Sequence, residues 1–399
     1  MFGQVELLPA DPILGLIEAF NQDTNPLKID LGVGVYKDAL GNTPILKSVR
    51  EAEALLLTRE TTKKYIGSHG DPLFAKHILP LVFGEASSVL AEQRATLTQA
   101  PGGTGALRLA ADFLRRNAPE KTVWISNPTW PNHYAIFDSV GIKHANYAYV
   151  DSETNRLDFP AMLADLKQIP QGDVVLLHAC CHNPTGFDLS TAQWQEVLAI
   201  LQERELLPLI DFAYQGFGEG LDKDAAAVRL LSEQLPEVMI TASCSKNFGL
   251  YRERIGSFIG VAKNTDDMEK LRSQMASVAR ANYSNPPAHG SAIVGTILAS
   301  TELNTLWRSE VDDMRNRINT LRQQFVTALT PYGLAEKFAC VAEQQGMFSY
   351  SGLKPHEVAQ LQKEFGIYMV KTGRMNIAGY NEQNLPYLCQ AIASVCGKK

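Results

Sequence analysis

From about Val123 to Ile259 the chain alternates short apolar runs with amphipathic stretches. The runs are Val123-Trp124-Ile125, Val174-Val175-Leu176-Leu177, Leu207-Pro208-Leu209-Ile210, Val238-Met239-Ile240-Thr241 and Ser257-Phe258-Ile259-Gly260. Between two of them, Thr191 to Arg204 sets Trp194, Val197, Leu198 and Leu201 at i, i+3, i+4 and i+7, the stripe of a helix buried on one face. Continuous apolar strands separated by such helices predict βαβ units, and therefore a mainly parallel sheet covered on both faces. The tail has a different rhythm. Gly346 to Tyr350, Ile367 to Val370 and Met375 to Ala378 are short strands around a helix from His356 to Phe365, with a last helix from about Asn384 to Val395. That is an α+β pattern. Glu302 to Leu329, nearly free of Gly and Pro and apolar at Leu306, Val311, Met314, Ile318, Leu321 and Phe325, predicts a long connecting helix.

Composition narrows the class. With 399 residues, 45% apolar and 20% charged, the chain has enough material for a sizeable core and none of the bias of disordered or fibrous proteins. A net charge of −6 argues against nucleic acid as a partner. The opening Met1-Phe2-Gly3-Gln4-Val5-Glu6 does not read as a targeting segment, which suggests a cytoplasmic protein. Asn282 to Thr301 carries no charge, but its prolines, asparagines and histidine disqualify it as a membrane span. Six irregularly spaced cysteines, including the adjacent Cys180 and Cys181, read as reduced thiols.

Ligands of parallel sheets collect beyond the carboxyl ends of the strands, so the residues that close each apolar run are where chemistry is expected. Pro101-Gly102-Gly103-Thr104-Gly105-Ala106-Leu107-Arg108 runs into a helix expected from Leu107 to Arg116, although no strand clearly leads into it. It reads either as an ordinary glycine turn or as an anion cradle at a helix N-terminus. As a dinucleotide fingerprint it fails, because Arg108 stands where a glycine is needed. His178-Ala179-Cys180-Cys181-His182-Asn183-Pro184-Thr185-Gly186 invites a zinc reading, but an extended strand would hold His178 and His182 about 13 Å apart, too far to share an ion. Asn183 is either a turn residue or a fixed hydrogen-bonding group. Asp211, ending a buried strand, is either a helix N-cap or a carboxylate whose charge goes to a ligand. Lys246, among Ser243, Cys244 and Ser245, is either a surface lysine or a partly desolvated amine able to act as nucleophile or base. Amine, carboxylate, Tyr214, Asn183 and a phosphate-ready set of glycines, Ser243 and Arg254 make up the inventory that pyridoxal phosphate requires.

At these residues the chain resembles a fold-type I, class I pyridoxal-phosphate aminotransferase of the bacterial aspartate/aromatic (tyrosine) branch. The resemblance runs from Asp11-Pro12-Ile13-Leu14-Gly15-Leu16 through Leu31 to Asp38, Gly102 to Leu107, His182 to Gly186, Ser243 to Arg254 and Ser284 to Gly290, and ends at Gly373 to Gly379. It implies a large domain at 45–312 with a mainly parallel sheet flanked by helices. A smaller α+β domain would be made from both termini, 1–44 and 313–399. It also implies a homodimer with shared active sites, and amino acids and 2-oxo acids as the only partners.

The resemblance assigns roles as well. Lys246 would carry the cofactor as a Schiff base and move the substrate Cα proton. Asp211 would keep the pyridine nitrogen protonated, and Tyr214 and Asn183 would bond the phenolic oxygen. Trp130 would stack on the ring. Gly103, Thr104, Ser243 and Arg254 would hold the phosphate, with Tyr65 reaching in from a second subunit, and His133 and His178 would support Asp211. Arg374 would clamp the substrate α-carboxylate and Arg280, from the neighbouring subunit, the distal one, with Gly34, Trp130 and Asn183 completing the substrate contacts. No metal is implied. Gly102 departs from the animal pattern, which has serine there. The implied reaction is a ping-pong amino transfer between aromatic amino acids or aspartate and 2-oxoglutarate; the alternative is a dedicated aspartate aminotransferase.

Overall fold

The computed structural model describes residues 2–7 and 14–397; the Asp11-Pro12-Ile13 opening of the resembling stretch lies outside them. Two compact units share the chain, one formed by 44–316 with 344–346, the other by 1–43, 317–343 and 347–399.

The larger unit is built on a seven-stranded sheet. Its strands are β1 (Ala95–Pro101), β2 (Thr122–Asn127), β3 (Lys143–Ala148), β4 (Val174–His178), β5 (Leu207–Phe212), β6 (Val238–Ser243) and β7 (Ile255–Val261), in the spatial order β1-β7-β6-β5-β4-β2-β3. Every pairing from β6 to β3 is parallel, while β7 runs antiparallel to both β6 and β1. The central strands are mostly apolar because both faces are covered: Val174 to Leu177 are at most 1% exposed. The helices of this unit include α1 (Gly102–Asn117), α2 (Asn132–Val140), α3 (Thr191–Glu203) and α4 (Thr265–Asn282). The expected stripe on α3 is buried, and the helix opens with a capping box in which Ser190 and Gln193 satisfy each other's backbone. Asn264 caps α4, with Asp266 and Asp267 in its first turn complementing the dipole. Ala106, Leu107, Ala110 and Leu114 of α1 pack with Val123, Ile125, Val174 and Leu209 in one buried cluster.

Two local features differ from the expectation set by the sequence. A strand does lead into the glycine loop: β1 delivers Pro101 directly to Gly102, and α1 begins there rather than at Leu107. Its polar residues Thr98 and Gln99 are fully buried, and Gln99 is held by Asp71 N at 3.0 Å and Pro287 O at 2.7 Å. Nor do His178 and His182 stand on one extended strand. β4 stops at His178, Cys181 takes a left-handed φ of 52°, and the two rings come within 4.1 Å.

A long helix, α5 (Thr301–Ala328), passes from the larger unit's sequence into the smaller's at Arg317. In the smaller unit Ile29–Asp30 pairs in parallel with Ile367–Tyr368, and Phe348–Tyr350 pairs antiparallel with Arg374–Asn376. Helices α6 (Pro355–Phe365) and α7 (Leu385–Cys396) accompany them, α6 starting at a proline and stopping at left-handed Gly366. No helix among the described residues is long and apolar enough to cross a membrane.

Candidate active site

Asp211 lies in β5, and no helix follows it before Leu221, which removes the N-cap reading. Its Oδ2 is 3.1 Å from His133 Nε2, and His133 Nδ1 is 2.8 Å from Thr129 Oγ1. A carboxylate only accepts, so Nε2 donates and the ring is fixed between two partners. Burial pushes the Asp211 carboxyl up, but the hydrogen bond and charge of His133, with His178 and Lys246 contributing less, outweigh it and hold the group below its usual value. His178 sits 5.3 Å from His133 by ring centroids. Both of its ring nitrogens are buried without a hydrogen-bond partner, and burial pulls its pKa down to about 3. It is therefore neutral at ordinary pH and packs against the His133 ring rather than bonding Asp211. Among the described residues, His133, His178 and Asp211 bring ligand atoms within 4.8 Å of one another, as do Cys180, Cys181 and Asp224.

The turn beyond β4 is braced from several sides. Asp188 accepts Cys181 N at 2.6 Å and His182 N at 2.9 Å, and His182 bonds Ser126 (3.0 Å) and Thr185 (2.9 Å) while stacking on Tyr149 at 4.0 Å. Gly346 packs so closely on Cys181 that a Cβ there would lie 2.3 Å from the cysteine Cβ. Asn183 is thus held, 8% exposed, by a scaffold of its neighbours.

Lys246 follows β6, its Nζ 4.5 Å from the centre of the buried Tyr214 ring. The next residues anchor the segment: the Asn247 carbonyl accepts the Trp307 indole N–H at 2.8 Å, and Phe248 stacks on Trp307 at 4.3 Å and 8°. Trp307, on α5, is fully buried, so the segment that carries Lys246 rests on a rigid aromatic plate.

The glycine loop meets the end of β6. A Cβ at Gly102, whose φ is 76°, would fall 2.3 Å from Arg254 Nη2, and one at Gly103 would fall 3.3 Å from Ser243 Cβ. Glycine at 102 therefore makes room for the Arg254 guanidinium. Arg254 itself holds a left-handed φ of 55° and donates to Tyr251 O at 2.9 Å. Ser243 Oγ lies 3.1 Å from Ser245 Oγ. The N-terminus of α1, where Thr104 is exposed, a hydroxyl and a guanidinium come together in a cradle lined by glycines, which suits a phosphate monoester. Trp130, half-buried, packs edge-on to His133 at 5.3 Å. Tyr65 and Arg280, in the same unit, are exposed, Tyr65 at 90%.

In the smaller unit Arg374 is 4% exposed, donates from Nη2 to Gly32 O at 2.7 Å, and lies 4.1 Å over the Phe348 ring. Asn376 ties Val33 O and Val35 O at 2.7 and 2.8 Å, and a Cβ at Gly34 would strike Phe348 at 2.7 Å. Gly32 to Val35 is thus fixed beside a buried guanidinium. Thr129, Asp188 and Trp307 do not stand out in the sequence; each acts through another residue, and the only signal is a buried-type aromatic or a polar residue near a motif.

A family model described as aminotransferase class I and II matches residues 26–392. An aromatic-amino-acid aminotransferase of Pseudomonas aeruginosa is 57% identical over 395 residues, 99% of either chain. An aspartate aminotransferase of Escherichia coli is 48% identical over 99% of this chain and all of its own. The crystal structure of an aromatic-amino-acid aminotransferase from Burkholderia pseudomallei, covalently bound to pyridoxal phosphate, superposes with a TM-score of 0.96 at 46% identity, covering 99% of both chains.

Proposed function

The chain belongs to the class I and II aminotransferases, and from that premise we propose that it moves an amino group between 2-oxoglutarate and either aspartate or an aromatic amino acid. The observation that carries the reading is the chain Asp211–His133–Thr129 beside Lys246 and Tyr214, because a carboxylate kept charged in a buried place serves a cationic ring nitrogen. Relatives named for aromatic and for aspartate transfer, both matching nearly the full chain, support the breadth.

When bound, pyridoxal phosphate supplies a carbonyl that captures amines and a ring that draws electrons from them. Lys246 would hold it and, once released, would take the proton from the substrate Cα and return one, a step that needs an amine fixed within reach rather than one free on the surface. The Trp307 plate provides that fixation. Asp211 would stay ionised to keep the ring nitrogen protonated, with His133 holding the carboxylate in place. Tyr214 and Asn183 would donate to the phenolic oxygen, and Trp130 would cover the ring. Gly103, Thr104, Ser243 and Arg254 take the phosphate. Arg374 binds the α-carboxylate as a planar fork, near Gly34, and Arg280 takes the distal carboxylate of a dicarboxylic substrate.

On this reading the larger unit is the cofactor domain, and the smaller, built from both ends of the chain, binds substrate. The exposure of Tyr65 and Arg280 supports a homodimer in which each is given to the neighbour's site. Among the described residues no disulfide joins any of the six cysteines, which supports a reducing, cytoplasmic location. The dimer is tested by mixing Lys246→Ala with Arg280→Ala. Each alone fails on aspartate, and subunit exchange restores activity only if the two residues serve one site from two chains. Breadth is tested by comparing kcat/KM for aspartate, tyrosine and phenylalanine. A gap of more than about 10⁴-fold in favour of aspartate, roughly 5.5 kcal/mol in transition-state binding, leaves a dedicated aspartate aminotransferase.

A further inference from the structure

Helix α4 ends in an unusual way. Tyr283 N closes the last helical turn on Ala279 O at 3.0 Å, and the chain then doubles back as Asn285 N bonds Tyr283 O at 2.7 Å. The central residue of that three-residue turn is Ser284, with a φ of 66°. A tight turn with positive central φ is strained for any residue with a Cβ, and such strain persists only where the surroundings enforce it. Here they do. Asn282 Nδ2 bonds Asp112 Oδ2 at 2.7 Å, the Tyr283 hydroxyl bonds Gln99 O at 2.6 Å, and Gln99 Nε2 bonds Pro287 O at 2.7 Å, so the backbone is tied down before and after the turn.

This turn aims one hydroxyl. Ser284 Oγ accepts a hydrogen bond from Arg280 Nη1 and a second from Asn285 Nδ2 at 3.1 Å, which uses both acceptor positions of the oxygen. Arg280 is exposed, and a long exposed arginine without an anchor is spread over many rotamers. We propose that Ser284 is a positioning residue that latches the Arg280 guanidinium in a resting orientation, and that this latch sets the balance between dicarboxylate and aromatic substrates.

The proposal rests on the reading of Arg280 as the distal-carboxylate residue. A distal carboxylate engages the guanidinium as a two-pronged fork and must win Nη1 from Ser284. An aromatic side chain benefits when the guanidinium stays in water, which a latch on its own helix supplies. Loss of the hydroxyl therefore favours the dicarboxylate. The ratio of kcat/KM for aspartate to that for phenylalanine should rise about three- to tenfold, the scale of one partly solvated hydrogen bond.

The test uses holoenzyme and single half-reactions with each amino acid, followed by the cofactor's absorbance. Ser284→Ala removes the hydroxyl and keeps the backbone strain, whereas Ser284→Gly removes both and folds readily, since glycine takes positive φ without cost. Both variants should raise the ratio by the same factor. A ratio that stays within twofold of wild type, that falls, or that shifts in only one of the two variants overturns the latch. Arg280→Ala serves as the reference and should lower the ratio. With Arg280 already removed, Ser284→Ala should change nothing, and a further rise there would mean that Ser284 acts by another route. If Arg280→Ala itself leaves the ratio unchanged, the reading of Arg280 fails and takes the latch with it. If it lowers the ratio while the Ser284 variants do not raise it, the latch alone fails.

Discussion

Asp211 and Arg280 are charged residues of the same unit in opposite surroundings. Asp211 is enclosed at a strand end, bonded to a histidine that is itself bonded to a threonine. Arg280 stands exposed at a helix end, bonded to a hydroxyl on its own strained turn. On the proposed reading, a charge that must be the same in every turnover sits in a mostly buried, hydrogen-bonded place. On the same reading, a charge that must serve substrates of different shape is left exposed on its own protomer, where releasing it costs one modest hydrogen bond rather than the several kcal/mol of stranding an ion in the interior.

The sharpest way to break this comparison is at its fixed end. Lys246→Ala removes the amine proposed to hold the cofactor and move the proton, and turnover should fall by at least the roughly 10² to 10⁴-fold associated with a general base. Borohydride reduction and peptide mapping should place the pyridoxyl group on Lys246, and a label on any other lysine would reassign the site. Asp211→Asn keeps the hydrogen-bonding shape and removes the charge. Cofactor should remain bound while turnover drops roughly 10² to 10³-fold, the scale of losing one preorganised electrostatic partner. Near-normal turnover in that variant would make the buried carboxylate structural.

The adjustable end should respond selectively. Arg280→Ala is expected to weaken transition-state binding of aspartate by about 2 kcal/mol or more, near the lower end of the range for losing one partner of a charge pair, because the guanidinium is solvated before substrate arrives. Phenylalanine should be much less affected. Equal losses on both substrates would mean that Arg280 supports the protein rather than the distal carboxylate.

The two ends are not equally legible in the sequence. Strands β2 and β4 to β7 can be read as apolar runs because both of their faces are buried, and Asp211 and Lys246 stand out because polar groups at such ends need a reason. β1 escapes because its buried positions include Thr96, Thr98 and Gln99, and the polar atoms of Thr98 and Gln99 are satisfied by distant segments that periodicity cannot reveal. The edge strand β3, Lys143 to Ala148, escapes because an edge is half in water and carries no apolar run. The spacing of His178 and His182 comes out wrong for a local reason, the left-handed turn at Cys181, a conformation no pattern signals in a non-glycine residue. Trp307 lies sixty positions from the Asn247 carbonyl it supports, so its part in holding Lys246 becomes visible only in three dimensions.

The smallest expected effect concerns how the fixed end tolerates acid. His178 is buried beside His133 with neither ring nitrogen bonded, and its pKa falls from an ordinary 6.5 to about 3. A histidine kept neutral in the folded protein binds fewer protons than in the unfolded chain whenever the pH lies between those values. Stability is therefore unaffected above 6.5 and falls as the pH drops toward 3. At pH 5 the difference is 6.5 − 5 = 1.5 pH units, or about 2 kcal/mol at about 1.36 kcal/mol per unit. Asp211 adds to the acid loss only below its ordinary 3.8, so the two contributions separate along the pH axis. His182, also driven well below 6.5 by burial, adds a loss of the same sign that remains in a His178 variant. His178→Phe should remove one share: between pH 7 and pH 5 its unfolding free energy, measured by denaturant titration of the holoenzyme, should fall by about 2 kcal/mol less than that of wild type. An identical pH slope in the two proteins would mean that His178 finds a proton-accepting partner in the folded state and is charged there rather than neutral.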